Sequence, residues 1–320
     1  MFRLLSFLTF YLLILNPIYG QKKSKVTTGV FINSIYDLNF PEESFKIDMW
    51  LWCTYTDTSL KMNELIEFPK TKEFSFSNDV TVNRSSYKWL TMRANGEVIK
   101  KWDCKTFPFD KQILNVSLGY SFDTTTCNVF ADVKNSKIDP DFKIAGWNID
   151  KLNCNAGIKT YKTTFGDPTL KDGKSTYPEF NMDIYISRKG SMMTLLKLIL
   201  GLIIAFIISC CVFFIKPINT DPRFGLCVGG LFTAVGNKYI TDGLVPSTNE
   251  MTLIDNLHVI TFISIFLIII QSVISLQIYE RETEKSIVFS KKLDLYSFGI
   301  IVILFFGTMS AFVLNSIVEN

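Results

Sequence analysis

The sequence predicts an exported, immunoglobulin-like all-β sandwich of about ten strands, followed by a four-helix transmembrane bundle. Three observations predict it. The chain is 48% hydrophobic and 20% charged, but the charge dominates the first half and the apolar residues the second. Short runs of alternating apolar and polar residues, separated by turn residues, fill Lys22 to Arg188, the pattern of an antiparallel sandwich. After Arg188 come apolar runs, each near the roughly 20 residues that cross a bilayer as a helix.

Taken in order, residues 1–20 (MFRLLSFLTFYLLILNPIYG) place Arg3 before an apolar run that ends at Asn16-Pro17 and Gly20. This reads as a secretory signal peptide cut near Gly20, with an uncleaved anchor as the alternative. Either way residues 21–190 are expected to be exported, as an extracellular or periplasmic domain. Within it Phe45-Lys46-Ile47-Asp48-Met49 alternates strictly, and turns are marked at Asn95-Gly96, Asp139-Pro140 and Asp172-Gly173. Trp147 is assigned to the core. Cys53, Cys104, Cys127 and Cys154 lie in this half, an even number in an oxidising compartment, so two disulfides are expected with every pairing open.

Residues 191–320 hold the expected spans, at about 193–215, 224–244, 257–276 and 296–318, with a short cytoplasmic loop at 277–295. Lys216 and Arg223 flank the first turn, and Arg281, Lys285, Lys291 and Lys292 occupy the last connection. The turn from Val245 to Asn256 has neither Lys nor Arg. By the positive-inside rule, 277–295 is cytoplasmic and the large domain is outside. The second span is too mixed in polarity to face lipid, so it is shielded by other helices or lines water. At 100° per residue, Asp221, Gly225, Gly229, Phe232, Gly236, Tyr239 and Gly243 share one of its faces.

Several classes of function are excluded. A net charge of +3 leaves no nucleic-acid footprint. The single histidine, His258, heads an apolar run, and no catalytic triad, carboxylate pair or phosphate loop appears. No metal site and no cofactor is expected, and the chain does not read as an enzyme.

The order of motifs is specific. Phe107-Pro108-Phe109-Asp110-Lys111-Gln112 reads FPFDxQ; Ile184-Tyr185-Ile186-Ser187-Arg188 leads into the first apolar helix; Leu244-Val245-Pro246-Ser247-Thr248 follows the second. This order resembles the pentameric ligand-gated ion channels, the Cys-loop receptor superfamily, in their bacterial form. The two loop cysteines of that family would fall at Lys100 and Leu114, so the bridge that names it is absent.

The resemblance implies a homo-pentamer in membrane lipid, gated by a small molecule or by protons, with a permeant ion for which cations are favoured. It implies a coupling junction of Phe107, Pro108, Phe109, Asp110, Arg188 and Pro246, in which the two phenylalanines pack on Val245 and Pro246 and Asp110 pairs with Arg188. It assigns the Asp221–Gly243 face to the pore, with Phe232 as an apolar ring that can gate by dewetting and Asp221 as an acidic ring. Aromatic candidates for an agonist site between subunits are Tyr120, Phe122, Tyr161, Phe165 and Tyr177, with Trp50 and Trp52 on the opposite side. The glycines on the pore face also fit helices in close contact, which leaves a non-conducting receptor or sensor that signals to a partner as the alternative.

Overall fold

The computed structural model describes residues 23–244 and 250–318. The expected signal peptide therefore lies outside the described residues, as do Val245 and Pro246 of the expected junction.

Ten strands form the first half: β1 (Ser24–Asn39), β2 (Ser44–Tyr55), β3 (Ile66–Glu67), β4 (Thr71–Asn83), β5 (Lys88–Ile99), β6 (Lys111–Tyr120), β7 (Cys127–Ala131), β8 (Lys137–Ile138), β9 (Trp147–Tyr161) and β10 (Ser175–Arg188). A single helical turn, α1 (Met62–Leu65), precedes β3. One sheet has the order β4-β5-β2-β1-β7, with β8 also paired to β1; the other has the order β3-β6-β10-β9. Most pairs are antiparallel, while β7 and β8 run parallel to β1.

Period-2 alternation builds the core, because successive side chains leave a strand on opposite faces. Ile47, Met49, Leu51 and Cys53 of β2 point inward, as do Leu114, Val116 and Leu118 of β6 and Phe180, Met182, Ile184 and Ile186 of β10. Each large apolar side chain buried in this way contributes about 1.5–3 kcal/mol.

The sandwich passes into the helices within two residues. Strand β10 ends at Arg188 and helix α2 (Ser191–Cys210) begins at Ser191. Gly190 takes φ +72 between them, a left-handed geometry that costs glycine nothing. A short 3₁₀ turn, Cys211–Phe214, extends α2. Then come α3 (Thr220–Asp242), α4 (Leu253–Tyr279) and α5 (Glu284–Val318). Helix α4 starts with a capping box, in which Thr252 and Asp255 each satisfy the other's backbone N–H.

One expectation is met only in part here, and a second is corrected. Of the four long helices among the described residues, three are apolar enough to cross a membrane, at Ser191–Phe214, Leu253–Tyr279 and Glu284–Val318. Helix α3 has the length, but its Asp, Asn, Lys, Thr and glycines take it out of that class. The expected loop 277–295 is mostly helix, since α4 runs to Tyr279 and α5 starts at Glu284. Backbone hydrogen bonds continue a helix past the point where its side chains turn polar, so hydropathy under-reads its length.

The cysteines are a further correction. Cys53, Cys104, Cys127 and Cys154 are all free and buried. Each has different neighbours: Cys53 lies 3.4 Å from the Thr28 hydroxyl, Cys104 near Asp110, Cys127 near Ser24 and Cys154 near Ser136. Burial pushes the Cys53 thiol up to about 11 and the Cys104 thiol up to about 12, so both stay protonated and unreactive.

Candidate functional site

Three clusters bring the expected residues together. At the boundary between sandwich and helices, the FPFDxQ loop folds back on the end of β10. The Arg188 Nε donates to Asp110 Oδ1 at 2.5 Å. The other carboxylate oxygen of Asp110 accepts from Gln112 Nε2 at 3.0 Å, and the same amide donates to the Asp103 carbonyl. Asp110 is fully buried, so it depends on these partners. The guanidinium of Arg188 is also enclosed by aromatic rings, with centroids 4.4 Å away at Trp147, 4.6 Å at Phe107 and 5.3 Å at Phe40. Trp147 is buried, as expected of a core residue, and it forms one wall of this cage. A planar, weakly hydrated cation suits such a cage.

The Phe107–Pro108 bond is cis; Phe107 is buried and Phe109 half-buried. The expected packing of these phenylalanines on Val245 and Pro246 falls outside the described residues. The loop does reach the helices at another point. Leu253 N–H, at the start of α4, donates to the Lys105 carbonyl at 2.8 Å. Lys105 Nζ lies 3.4 Å from the Glu250 carboxylate.

The second cluster is helix α3. Asp221, Gly225, Gly229, Phe232, Gly236, Tyr239 and Gly243 are all exposed, Phe232 at 71% and Tyr239 at 85%. A Cβ added at Gly225, Gly229 or Gly236 would meet nothing within 4 Å, so no helix among the described residues packs on this face. The close approach of helices uses two other glycines. Gly230 faces Ser209 and the Ala205 carbonyl of α2, and Gly201 of α2 faces Asn237.

The buried side of α3 carries Arg223, Cys227, Gly230, Ala234 and Thr241. Arg223 is fully buried. Its Nη2 donates to Asp294 of α5, and its Nε to the Ile215 carbonyl at 3.0 Å. Gln271 of α4 donates to the other oxygen of Asp294 at 3.3 Å. At the opposite end of α3, Lys238 donates to Asp242 and, at 2.6 Å, to Asp255 of α4. Asn237 donates to the Leu198 carbonyl and meets His258 Nε2 at 3.2 Å. Neither Arg223 nor Lys238 belongs to the exposed set at 100° spacing, and the sequence does not show the partners of either. The only signal for Asp294 was an acidic residue beside an apolar run.

The third cluster is aromatic. Tyr161, Phe165 and Tyr177 meet edge to face, with centroids 5.3–6.1 Å apart. Together with Glu67, Tyr120 and Ser121 they line a cavity of about 390 Å³. Glu67 was not among the expected binding residues; it reaches the cavity because β3 pairs with the end of β6.

Tyr120 lies at the inner end of this cavity, and Phe122 is not among its lining residues. Both are buried, and their rings pack on each other at 5.1 Å. The Tyr120 hydroxyl bonds to Thr28 inside the sandwich, and burial pushes its pKa well up. Tyr120 is an inward residue of β6, so strand alternation sends its phenol into the sandwich, while the residue still borders the cavity. Trp50 and Trp52 lie on the outer face of the other sheet and do not line the cavity. The Trp52 indole donates to Asp132 at 3.2 Å.

No protein-family model matches the chain. Over 159 residues it is 22% identical to a protein from Gloeobacter violaceus (strain ATCC 29082 / PCC 7421) described as a proton-gated ion channel. The match covers 43% of this chain and 44% of that protein, so it spans less than half of the relative's length. The chain, a sheet-rich domain followed by membrane-length helices, is thus distantly similar to an ion channel.

Proposed function

We propose that the chain is the subunit of a homo-pentameric membrane channel, gated from outside by a small ligand or by protons and selective for cations. The sandwich lies outside, 277–295 lies on the cytoplasmic side, and α3 is a fourth span at the centre of the ring. The observation that carries this reading is the open face of α3. A half-polar helix of membrane length exposes Asp221, Phe232, Tyr239 and four glycines, and the helices among the described residues leave that face uncovered. In lipid a face of that kind is unfavourable; five copies facing inward give it water. Phe232 then forms an apolar constriction and Asp221 an acidic mouth. The distant similarity to a proton-gated channel supports the same reading.

The ligand site is the cavity of Tyr161, Phe165, Tyr177 and Glu67, completed by Trp50 and Trp52 of the next subunit. Three aromatic rings beside a carboxylate favour a small organic cation. Binding there must stabilise one arrangement of the helices over another to open the pore, and the route runs through Asp110 and Arg188 to the start of α4.

The test is purified protein in planar bilayers, screened over pH and over small amines, with Phe232→Ala alongside. Removing the apolar ring is expected to raise the leak current. Silence from both proteins, with pentamers verified by native mass spectrometry, would replace the channel with a non-conducting sensor whose glycine faces pack together. A reversal potential that follows chloride would keep the channel and remove the role of Asp221.

A further inference from the structure

A cavity larger than the aromatic one lies at the lower edge of the sandwich. It measures about 590 Å³ and is formed by residues 138–140 and 142–149 together with Lys189. The chain closes it by a bond from Lys189 N–H to the Gly146 carbonyl, at 2.9 Å. Lys189 stands two residues before α2, so under the orientation proposed above the cavity opens where the outer leaflet begins.

Its chemistry is two-sided. Ile138, Phe142, Ile144, Trp147 and Ile149 supply apolar wall, while Lys143 and Lys189 supply two exposed ammonium groups. Neither lysine has an ion-pair partner among the described residues. The one carboxylate in the lining, Asp139, is turned onto the Asp141 N–H at 3.0 Å. Lys197, on the second turn of α2, adds a third exposed ammonium that can snorkel upward.

Below the lysines, α2 presents a stripe of exposed apolar side chains at i, i+4 and i+8: Met192, Leu196 and Leu200. Residues at that spacing share one helix face. A cationic cleft whose Lys189 leads into a helix with an apolar track complements a ligand with an anionic head and an extended hydrocarbon tail.

We propose that this cleft is a headgroup site for an anionic phospholipid of the outer leaflet, its phosphate held by Lys143 and Lys189 and one acyl chain lying along Met192, Leu196 and Leu200. The site adjoins the Arg188 cage through Trp147, so an occupied cleft braces the strand that leads into α2. The proposal rests on the membrane orientation proposed above but not on conduction.

The test is native mass spectrometry of the delipidated full-length protein, titrated with phosphatidylglycerol or with phosphatidylcholine of the same acyl chains. Wild type is expected to prefer phosphatidylglycerol. Lys143→Gln with Lys189→Gln is expected to reduce that preference by about fivefold per lysine, while Lys143→Arg with Lys189→Arg retains it. Lys291→Gln with Lys292→Gln, on α5, serves as the control and should leave it unchanged. Equal binding of the two lipids by wild type overturns the proposal, as does a full preference in the glutamine pair. Glycerol phosphate binding as tightly as the lipid would show a free-anion site and overturn the lipid assignment. A protein that conducts nothing but keeps the lysine-dependent preference would sink the channel and leave this site standing.

Discussion

Two arginine–aspartate pairs hold this molecule together at different levels, and they were legible to different degrees. Arg188–Asp110 joins the end of β10 to the FPFDxQ loop, beside the entry to the helices. Arg223–Asp294 joins the start of α3 to α5, inside the bundle. In the first, the aspartate is buried while the arginine keeps 18% of its side chain exposed and is stacked by three aromatic rings. In the second, both side chains are sealed from solvent, at 1% and 5% exposure. A sealed pair gains little net stability over an apolar pair of the same shape, yet breaking it is costly because one charge is left stranded. The junction pair is better suited to change with function, and the bundle pair to fix one arrangement of helices.

Mutation sharpens that contrast. Arg223→Ala and Asp294→Ala should have the largest effects, each about 3–5 kcal/mol, read as lost thermal stability of the purified oligomer. Arg223→Met with Asp294→Leu should recover most of the loss, because it removes both charges together. If the two alanine variants melt like wild type, the pair is not sealed in the working assembly.

Asp110→Ala and Arg188→Ala should cost less stability, about 2–3 kcal/mol, and should alter gating as well. Arg188→Lys keeps the charge but loses the planar stacking group, so it is expected to fall between wild type and alanine in agonist-evoked current. Currents equal to wild type in Asp110→Ala, Arg188→Ala and the double variant would remove this pair from the coupling route.

The smallest expected effect belongs to a third pair, Asp48–Arg93, on the sandwich. It is bidentate, with both bonds at 2.8 Å, but Arg93 is half exposed. Hydrogen bonding from Arg93 holds the Asp48 carboxyl below its ordinary 3.8, against the upward push of burial. Its contribution is therefore present above pH 3.8 and lost as pH falls through the lower folded value. Melting of wild type and Asp48→Asn should differ at pH 7 and converge in strong acid. A constant difference down to the most acid condition would contradict the linkage.

These regions also show why some features were legible and others were not. FPFDxQ and the arginine before the first helix are contiguous strings, so the junction pair could be anticipated from the resemblance they carry. The exposed face of α3 followed from the 100° helical period alone, since every residue on it is local to one helix. Long strands such as β2 and β10 followed from period-2 alternation for the same reason, whereas the expected turn at Asn95-Gly96 lies inside β5. The aromatic site was only half legible: Tyr161, Phe165 and Tyr177 flank one loop, but the inward turn of Tyr120 depends on which face of β6 meets the other sheet.

The sequence by itself determined the order of sandwich and helices, the strand and helix periods, and the composition of the α3 face, because each of these is a local repeat. Tertiary structure alone decided that Asp294 meets Arg223 across 71 positions, that four cysteines settle into separate pockets instead of two bridges, and that the exposed glycines of α3 face away from the helix contacts that Gly201 and Gly230 make. Those outcomes depend on how distant faces come together, and a buried charge, a thiol or a missing side chain takes its meaning from whatever packing sets opposite it.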